Sequence, residues 1–338
     1  MTQAMLVPQI DELPDGTLRT KLPTPFPVGP VNCYLLFGST VTVIDPGMVW
    51  RDSTNQPRVA VMMPNILQYP VAVFGILRAG MTVVSVNPLY TARELEHQLR
   101  DAGASVIVIF ESAAHTLQSI IANTPVRHVV VAAIGDMLGA LKGGLLNFVF
   151  RRVKKMVPAW RLDNATAFPA TLAAGALNKP TPVQINADSL AFLQYTGGTT
   201  GVSKGAMLHH SHVLANLQQV RTYFGEHVKE GEEIAIAPLP FYHILALVMN
   251  CMMGVRLGSH QILIANPRDI PRLIATLAKS RFSFFVGVNT LFNALTNHPD
   301  FARVDFSNLR ICGGGGAPSG APWGNAVERL PLMRMATV

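Results

Sequence analysis

The run Tyr195-Thr-Gly-Gly-Thr-Thr-Gly-Val-Ser-Lys-Gly205 concentrates glycine, threonine and lysine in one short stretch behind an apolar segment. Glycine lets successive backbone amides turn toward a common point, which is how a polypeptide cradles phosphate. Thr196, Thr199 and Thr200 add hydroxyl donors, and Lys204 adds a compact positive charge. The chemistry on offer is the holding of a polyphosphate. It is not that of a Walker A loop, which needs glycine directly before lysine and Ser or Thr directly after. Here Ser203 precedes Lys204 and Gly205 follows it, which disfavours kinase-like NTPases. The alternative is a flexible Gly/Thr surface turn.

Other residues with chemical potential are fewer. His243 ends the run Pro240-Phe-Tyr-His243; taken alone, it reads more simply as a satisfied core histidine. A glycine run, Gly313 to Gly316, follows an apolar segment. Cys33, Cys251 and Cys312 are scattered and odd in number, so neither a disulfide framework nor a zinc cluster follows, and a reducing cytoplasm is the simple reading.

The elements that must position these groups alternate. Apolar strands are expected at 58–63, 82–86, 105–110 and 127–131, with helices from Pro64 to Ala79, from Thr91 to about Gly103, and between the last two strands. Thr91-Ala-Arg-Glu94 is a capping box. After a Pro/Asn/Thr-rich loop at 178–186, a second series begins: strand 190–195, helix 211–223, strand 233–237, helix 242–253, strand 261–265, helix 271–280, and strands 283–286 and 309–312. This rhythm predicts an α/β protein with parallel, doubly wound sheets. The first fifty residues differ: a strand at 33–37, a Gly-Ser turn and a strand at 41–44 predict a β-hairpin.

Composition agrees. Hydrophobic residues make up 49% of the 338 and charged residues 14%, which excludes a disordered chain and suits strands covered on both faces. The net charge of +7 admits a nucleic acid, a membrane surface or a polyanionic small molecule as partner; no nucleic-acid-binding signature accompanies it, so nucleic acid is set aside. The first residues carry Asp11, Glu12 and Asp15 without an apolar run, so no signal peptide is expected, and the longest apolar stretch, 244–255, is too short to span a bilayer. Residues 139–160 mix Leu141, Leu145, Phe148 and Val153 with Lys142, Arg151, Arg152, Lys154 and Lys155. That pattern fits either an anionic membrane surface or the solvated face of a helix on a basic protein.

The run from Leu193 to Leu208 resembles the signature phosphate loop of the adenylate-forming enzymes, and in particular of the bacterial long-chain fatty acid–CoA ligases. Other stretches share the resemblance: Val61-Met-Met-Pro-Asn, Gly75-Ile-Leu-Arg-Ala-Gly80, Val86-Asn-Pro-Leu-Tyr-Thr-Ala-Arg-Glu-Leu-Glu-His97, Asn266-Pro-Arg-Asp-Ile-Pro271 and Gly287-Val-Asn-Thr-Leu-Phe-Asn-Ala-Leu295. It implies two doubly wound βα subdomains of an incomplete adenylate-forming N-terminal domain over 58–316. It also implies ATP-dependent activation of a long-chain fatty acid to acyl-adenylate and acyl-CoA, with ATP, Mg²⁺ and CoA as cofactor and co-substrates. By the same resemblance Thr196, Gly197, Gly198, Thr199, Thr200, Gly201 and Lys204 hold the ATP phosphates. Gly314, Gly315 and Gly316 pack against adenine, and His243 sits near the carboxylate as the catalytic residue. Tyr242, Gly287, Val288, Asn289 and Thr290 line the acyl site. No metal-ligating protein residue is expected. The family is often membrane-associated, which implies a peripheral contact through 139–160 on the inner face of the cytoplasmic membrane.

The ends depart from the pattern. Phe26-Pro-Val-Gly-Pro-Val-Asn-Cys-Tyr-Leu-Leu36 with Val43-Ile-Asp-Pro-Gly47 resembles the first hairpin of metallo-β-lactamase-fold hydrolases, so 1–57 reads as a segment of foreign origin. His210-Ser-His212 lacks the Asp-His that such a zinc motif needs, so a metallo-hydrolase is disfavoured. Beyond Gly316 the family's Mg²⁺-binding Glu, ribose-binding Asp and C-terminal domain with its catalytic Lys do not follow. Residues 317–338 read as an aberrant tail that an alternative reading frame explains. The resemblance therefore implies a fragment with weak activity or none, the alternative being a non-catalytic nucleotide- or acyl-binding protein.

Overall fold

The computed structural model describes residues 9–12, 18–22, 31–35, 56–163, 165–178, 183–196 and 203–314. The chain divides into two compact units, 40–213 and 214–338 with 1–39.

The unit 40–213 is built on a seven-stranded sheet. Its strands are β4 (Arg58–Met62), β5 (Thr82–Ser85), β6 (Val106–Phe110), β7 (His128–Ala132), β8 (Ala165–Ala167), β9 (Leu190–Thr196) and β10 (Lys204–His209), in the order β10-β9-β5-β4-β6-β7-β8. All pairs are parallel except β10 with β9. Helices α1 (Gln68–Arg78), α2 (Ala92–Ala102), α3 (Ala114–Gln118), α4 (Ala140–Phe148) and α5 (Phe168–Leu177) fill the crossovers. The β4 stretch after Arg58 and the whole of β6 read as unbroken apolar runs because both sheet faces are covered, and the residues of β4, β5 and β6 are buried apart from Arg58. Leu95, Leu99, Ile107 and Ile109 are fully buried in one cluster, each worth about 1.5–3 kcal/mol of transfer free energy.

Helix α2 is the best-specified helix. Thr91 Oγ1 accepts from the Glu94 amide while the Glu94 carboxylate accepts from the Thr91 amide, the expected capping box. Gly103 closes the helix at φ 61°, where a side chain is penalised. Arg58 donates to Ala102 O at 2.7 Å and Gln98 to Ser85 O at 2.8 Å, tying the helix to β4 and β5.

The other unit is built on a four-stranded parallel sheet of β11 (Ile234–Ala237), β12 (His260–Leu263), β13 (Phe284–Gly287) and β14 (Ile311–Gly314), in the order β12-β11-β13-β14. Helix α6 (His210–Phe224) leads in, and α9 (Ile270–Leu277) and α10 (Asn289–Thr296) connect the later strands. Between β11 and β12 the chain forms α7 (Ile244–Ala246), a π-turn at Leu247–Met252 and α8 (Met253–Leu257). A helix over 242–253 was expected; Tyr242 and His243 instead form the turn before it, and His243 is the extended N-cap residue. A separate antiparallel sheet joins β1 (Gln9–Glu12), β2 (Leu18–Leu22) and β3 (Val31–Leu35). The first arm of the expected hairpin overlaps β3, whose described partner is β2; the second arm, 41–44, lies outside the described residues.

Candidate functional site

Each unit carries its own set of groups. In the unit 40–213 the phosphate run, read from sequence as joining a strand to a helix, joins two antiparallel strands. Lys204 opens β10 and pairs directly with Thr196, the last residue of β9, and no helix begins until His210. Gly205 and Ala206 have little intrinsic strand preference, and β10 is a partly exposed edge strand with one partner, so pairing rather than propensity makes it. Thr196 and Lys204 are both exposed at the mouth of this hairpin. Gly197, Gly198, Thr199, Thr200 and Gly201 lie outside the described residues.

The feet of the hairpin are tightly tied. Ser203 Oγ donates to Thr196 O at 2.9 Å, closing the base of the loop across its two sides. Tyr195 OH donates to Asp101 Oδ2 at 2.5 Å, and burial with the adjacent carboxylate pushes its phenol pKa well up. His97 Nε2 faces Ser203 O at 3.4 Å. A β-carbon at Gly205 would lie 3.0 Å from two atoms of the Tyr195 ring, so the cross-strand partner of Tyr195 has to stay small. His97, Asp101 and the Tyr195 ring were not among the expected site residues. Their signal was present: His97 and Asp101 stand four apart on a helix that the capping box already announces.

In the other unit the expected residues lie at, or follow in sequence, the carboxyl ends of the parallel strands. The strand order reverses there: β12 lies on one side of β11, while β13 and β14 lie on the other. Ligands of open α/β sheets bind outside the carboxyl ends at such a switch point. Tyr242 and His243 follow β11, with their rings 4.7 Å apart and tilted by 44°. Leu247 N–H donates to His243 O at 2.9 Å, fixing the N-cap. His243 reaches solvent, but the packed side of its ring loses hydration, which lowers its pKa below the usual 6.5 and favours the neutral imidazole near pH 7. Asn250, fully buried, donates to Ile236 O at 3.2 Å and ties the π-turn to β11.

Gly287 ends β13 opposite Gly314 of β14. A β-carbon on Gly287 would come within 2.8 Å of the Phe292 ring, so α10 packs directly on the strand end. Val288 is the N-cap of α10, Thr290 is exposed, and Asn289 Oδ1 is buried without a partner among the described residues. Gly315 and Gly316 lie outside the described residues.

The sequence profile of the AMP-binding enzyme family matches residues 48–333. The chain belongs to that family. It is 53% identical over 261 residues to the long-chain-fatty-acid–CoA ligase of Salmonella typhimurium (strain LT2), covering 77% of this chain and 46% of that protein. It is 32% identical over 262 residues to the protein of the same name from Bacillus subtilis (strain 168). The chain thus spans about half the length of the curated relatives it matches. Among solved structures, anthranilate CoA ligase AuaEII in complex with anthranoyl-AMP superposes with a TM-score of 0.69 at 18% identity, covering 83% of this chain and 49% of that one. A long-chain-fatty-acid-CoA ligase from Archaeoglobus fulgidus gives 0.66 at 21% identity, with 83% and 52% covered. These likenesses establish the adenylate-forming fold that the sequence predicts.

Proposed function

We propose that this chain takes part in the ATP-dependent activation of a long-chain fatty acid. A carboxylate oxygen bonds to the α-phosphorus of ATP as the bond to the β-phosphate breaks, releasing pyrophosphate. The CoA thiolate then attacks the acyl carbonyl, and AMP leaves. The observation that carries the reading is the identity with ligases of that name over a segment containing the whole Tyr195–Gly205 run.

The residues divide the work. Thr196 and Lys204, with Gly197, Gly198, Thr199, Thr200 and Gly201 between them, hold the ATP phosphates against the charge developing on their oxygens. Mg²⁺ enters as part of the substrate, MgATP. Gly314, Gly315 and Gly316 leave room for adenine. His243, neutral near pH 7, sits with Tyr242 by the carboxylate. Gly287, Val288, Asn289 and Thr290 border the acyl group. Each buried methylene of the acyl chain contributes about 0.8 kcal/mol. Binding of MgATP by the purified chain, with palmitate-dependent exchange of labelled pyrophosphate into ATP that is weak or absent, is the expected result. Protein that binds no MgATP would sink the reading.

We also propose a peripheral contact with the inner face of an anionic cytoplasmic membrane through 139–160. Leu141, Leu145 and Phe148 share one face of α4 and are 90%, 66% and 59% exposed. Lys142, Arg152, Lys154 and Lys155 are exposed around them. Lys155 occupies the left-handed region at φ 49°, a place that glycine fills more cheaply by about 1 kcal/mol. The element is held firmly from behind: Arg151 pairs with buried Glu111 at 2.6 Å, and Gly143 lies close against Gly135. No helix among the described residues is long and apolar enough to cross a membrane. Phosphatidylglycerol vesicles should bind the protein more weakly as salt rises, and phosphatidylcholine vesicles should not bind it. Equal binding to both would refute the contact.

A further inference from the structure

We infer that the His97–Asp101 face of α2 is the seat that fixes both feet of the phosphate hairpin, and that ATP affinity depends on it. The inference rests on the nucleotide reading above. Asp101 holds the β9 foot through the Tyr195 hydroxyl, and His97 reaches the β10 foot at the Ser203 carbonyl. Ser203 in turn bonds across to Thr196 O, so the three contacts form one clamp around the base of the loop. The two helix residues are one turn apart on a single face, which is what lets one helix address both strands.

The seat itself is stiff. Leu95, Leu99 and Ala102 are fully buried, Gln98 bonds to Ser85 O, Arg58 bonds to Ala102 O, and both helix ends are capped. Gly205 lets the Tyr195 ring lie flat across β10 and point its hydroxyl at Asp101. The carboxylate accepts a charge-assisted bond, stronger than a neutral pair, whereas the His97 contact is long and requires the tautomer protonated at Nε2. Strand ends held in place before a phosphate arrives lower the ordering cost when it binds. Asp101 and His97 are therefore positioning residues, acting through Tyr195 and Ser203 without touching the nucleotide.

The test is calorimetry of the full chain with MgATP. Asp101→Ala and Tyr195→Phe should each weaken binding about tenfold, the equivalent of one charge-assisted hydrogen bond. The double variant should bind no worse than either single one, since all three lose the same bond. Asp101→Asn, which still accepts from the phenol, should restore most of the affinity. His97→Ala should cost a few-fold, and His97→Gln, whose amide still donates, should recover it. Thr91→Ala loosens the same helix at its far end and serves as the control: it should lower the melting temperature and leave ATP affinity unchanged. Additive losses, no loss, or a matching loss in Thr91→Ala would each overturn the seat. Should the unaltered chain bind no ATP, the nucleotide reading falls. The seat is then judged by amide exchange at Thr196 and Lys204, which must speed up in Asp101→Ala; unchanged exchange would overturn it independently.

Discussion

The two ends of the four-stranded sheet are made differently. At the amino ends of the strands Glu233 is buried and all its oxygens are answered. Oε1 accepts from the Lys229 amide and from Arg310, both at 2.7 Å, and Oε2 accepts from Ser283 Oγ at 2.5 Å. Ser283 Oγ also accepts from the Ile234 amide at 3.0 Å, so one cluster staples the starts of β11, β13 and β14. At the carboxyl ends the polar groups are left open: His243 reaches solvent, Asn289 Oδ1 has no partner among the described residues, and Gly287 and Gly314 carry no side chain. Parallel strands present all their carboxyl ends on one side, so stability and ligand chemistry separate along the strand axis. One end is closed around a buried carboxylate with every oxygen paired, although Arg310 Nε has no partner among the described residues, and the other carries the residues assigned to the ligand in the proposed function.

That contrast can be broken from either side. Glu233→Ala strands Arg310 beside a buried void and should lower unfolding free energy by roughly 3 kcal/mol in urea titrations. A loss confined to ligand binding would reverse the assignment of the two ends. His243→Ala should do the opposite: palmitate-dependent pyrophosphate exchange falls about a hundredfold, the scale of a lost proton-handling or orienting group, while unfolding free energy stays within about 0.5 kcal/mol. Gly287→Ala sits between these cases. Its methyl meets the Phe292 ring, so it should cost about 1–3 kcal/mol, with a larger proportional loss of acyl activation than of stability; Phe292→Leu in the same chain should return part of both.

The smallest effect is in pH. Burial lowers the pKa of His210 and of His243, so the unfolded chain takes up their protons first as pH falls. Stability should be flat above the usual histidine value of 6.5 and decline as pH drops below it. The double variant His210→Asn with His243→Asn should flatten that decline, and an unchanged slope would mean that other groups set it.

The sequence shows much of the scaffold in advance. Unbroken apolar runs announce β4 and β6, because strands covered on both faces leave no polar alternation to obscure them. The capping box and Gly103 mark both ends of α2. What stayed hidden depends on partners distant in sequence. Strand β10 has little strand character of its own and forms because β9 is there to pair with. Likewise, nothing in the spacing of Asp101 and Tyr195 states that they meet, since the bond spans 94 residues. For the site, residue types in the 195–205 run announce phosphate chemistry, whereas the roles of Gly287 to Thr290 and of His243 come from resemblance, because single residues at strand ends carry no pattern of their own.

The π-turn at Leu247–Met252 gives the second unit a particular tolerance. It holds one residue more than an α-helical turn needs, so deleting one residue there lets the segment settle into an ordinary helix without breaking it. The wide turn already absorbs the extra residue, so the stretches on either side keep nearly their present facing. His243, the N-cap of the leading stretch, would hold its place after β11 while Met253–Leu257 kept its packing. A second deletion has no such slack to draw on and would turn the leading stretch by about 100°, the angle between successive residues of an α-helix. The segment can therefore shorten by one residue, and no more, before His243 is displaced.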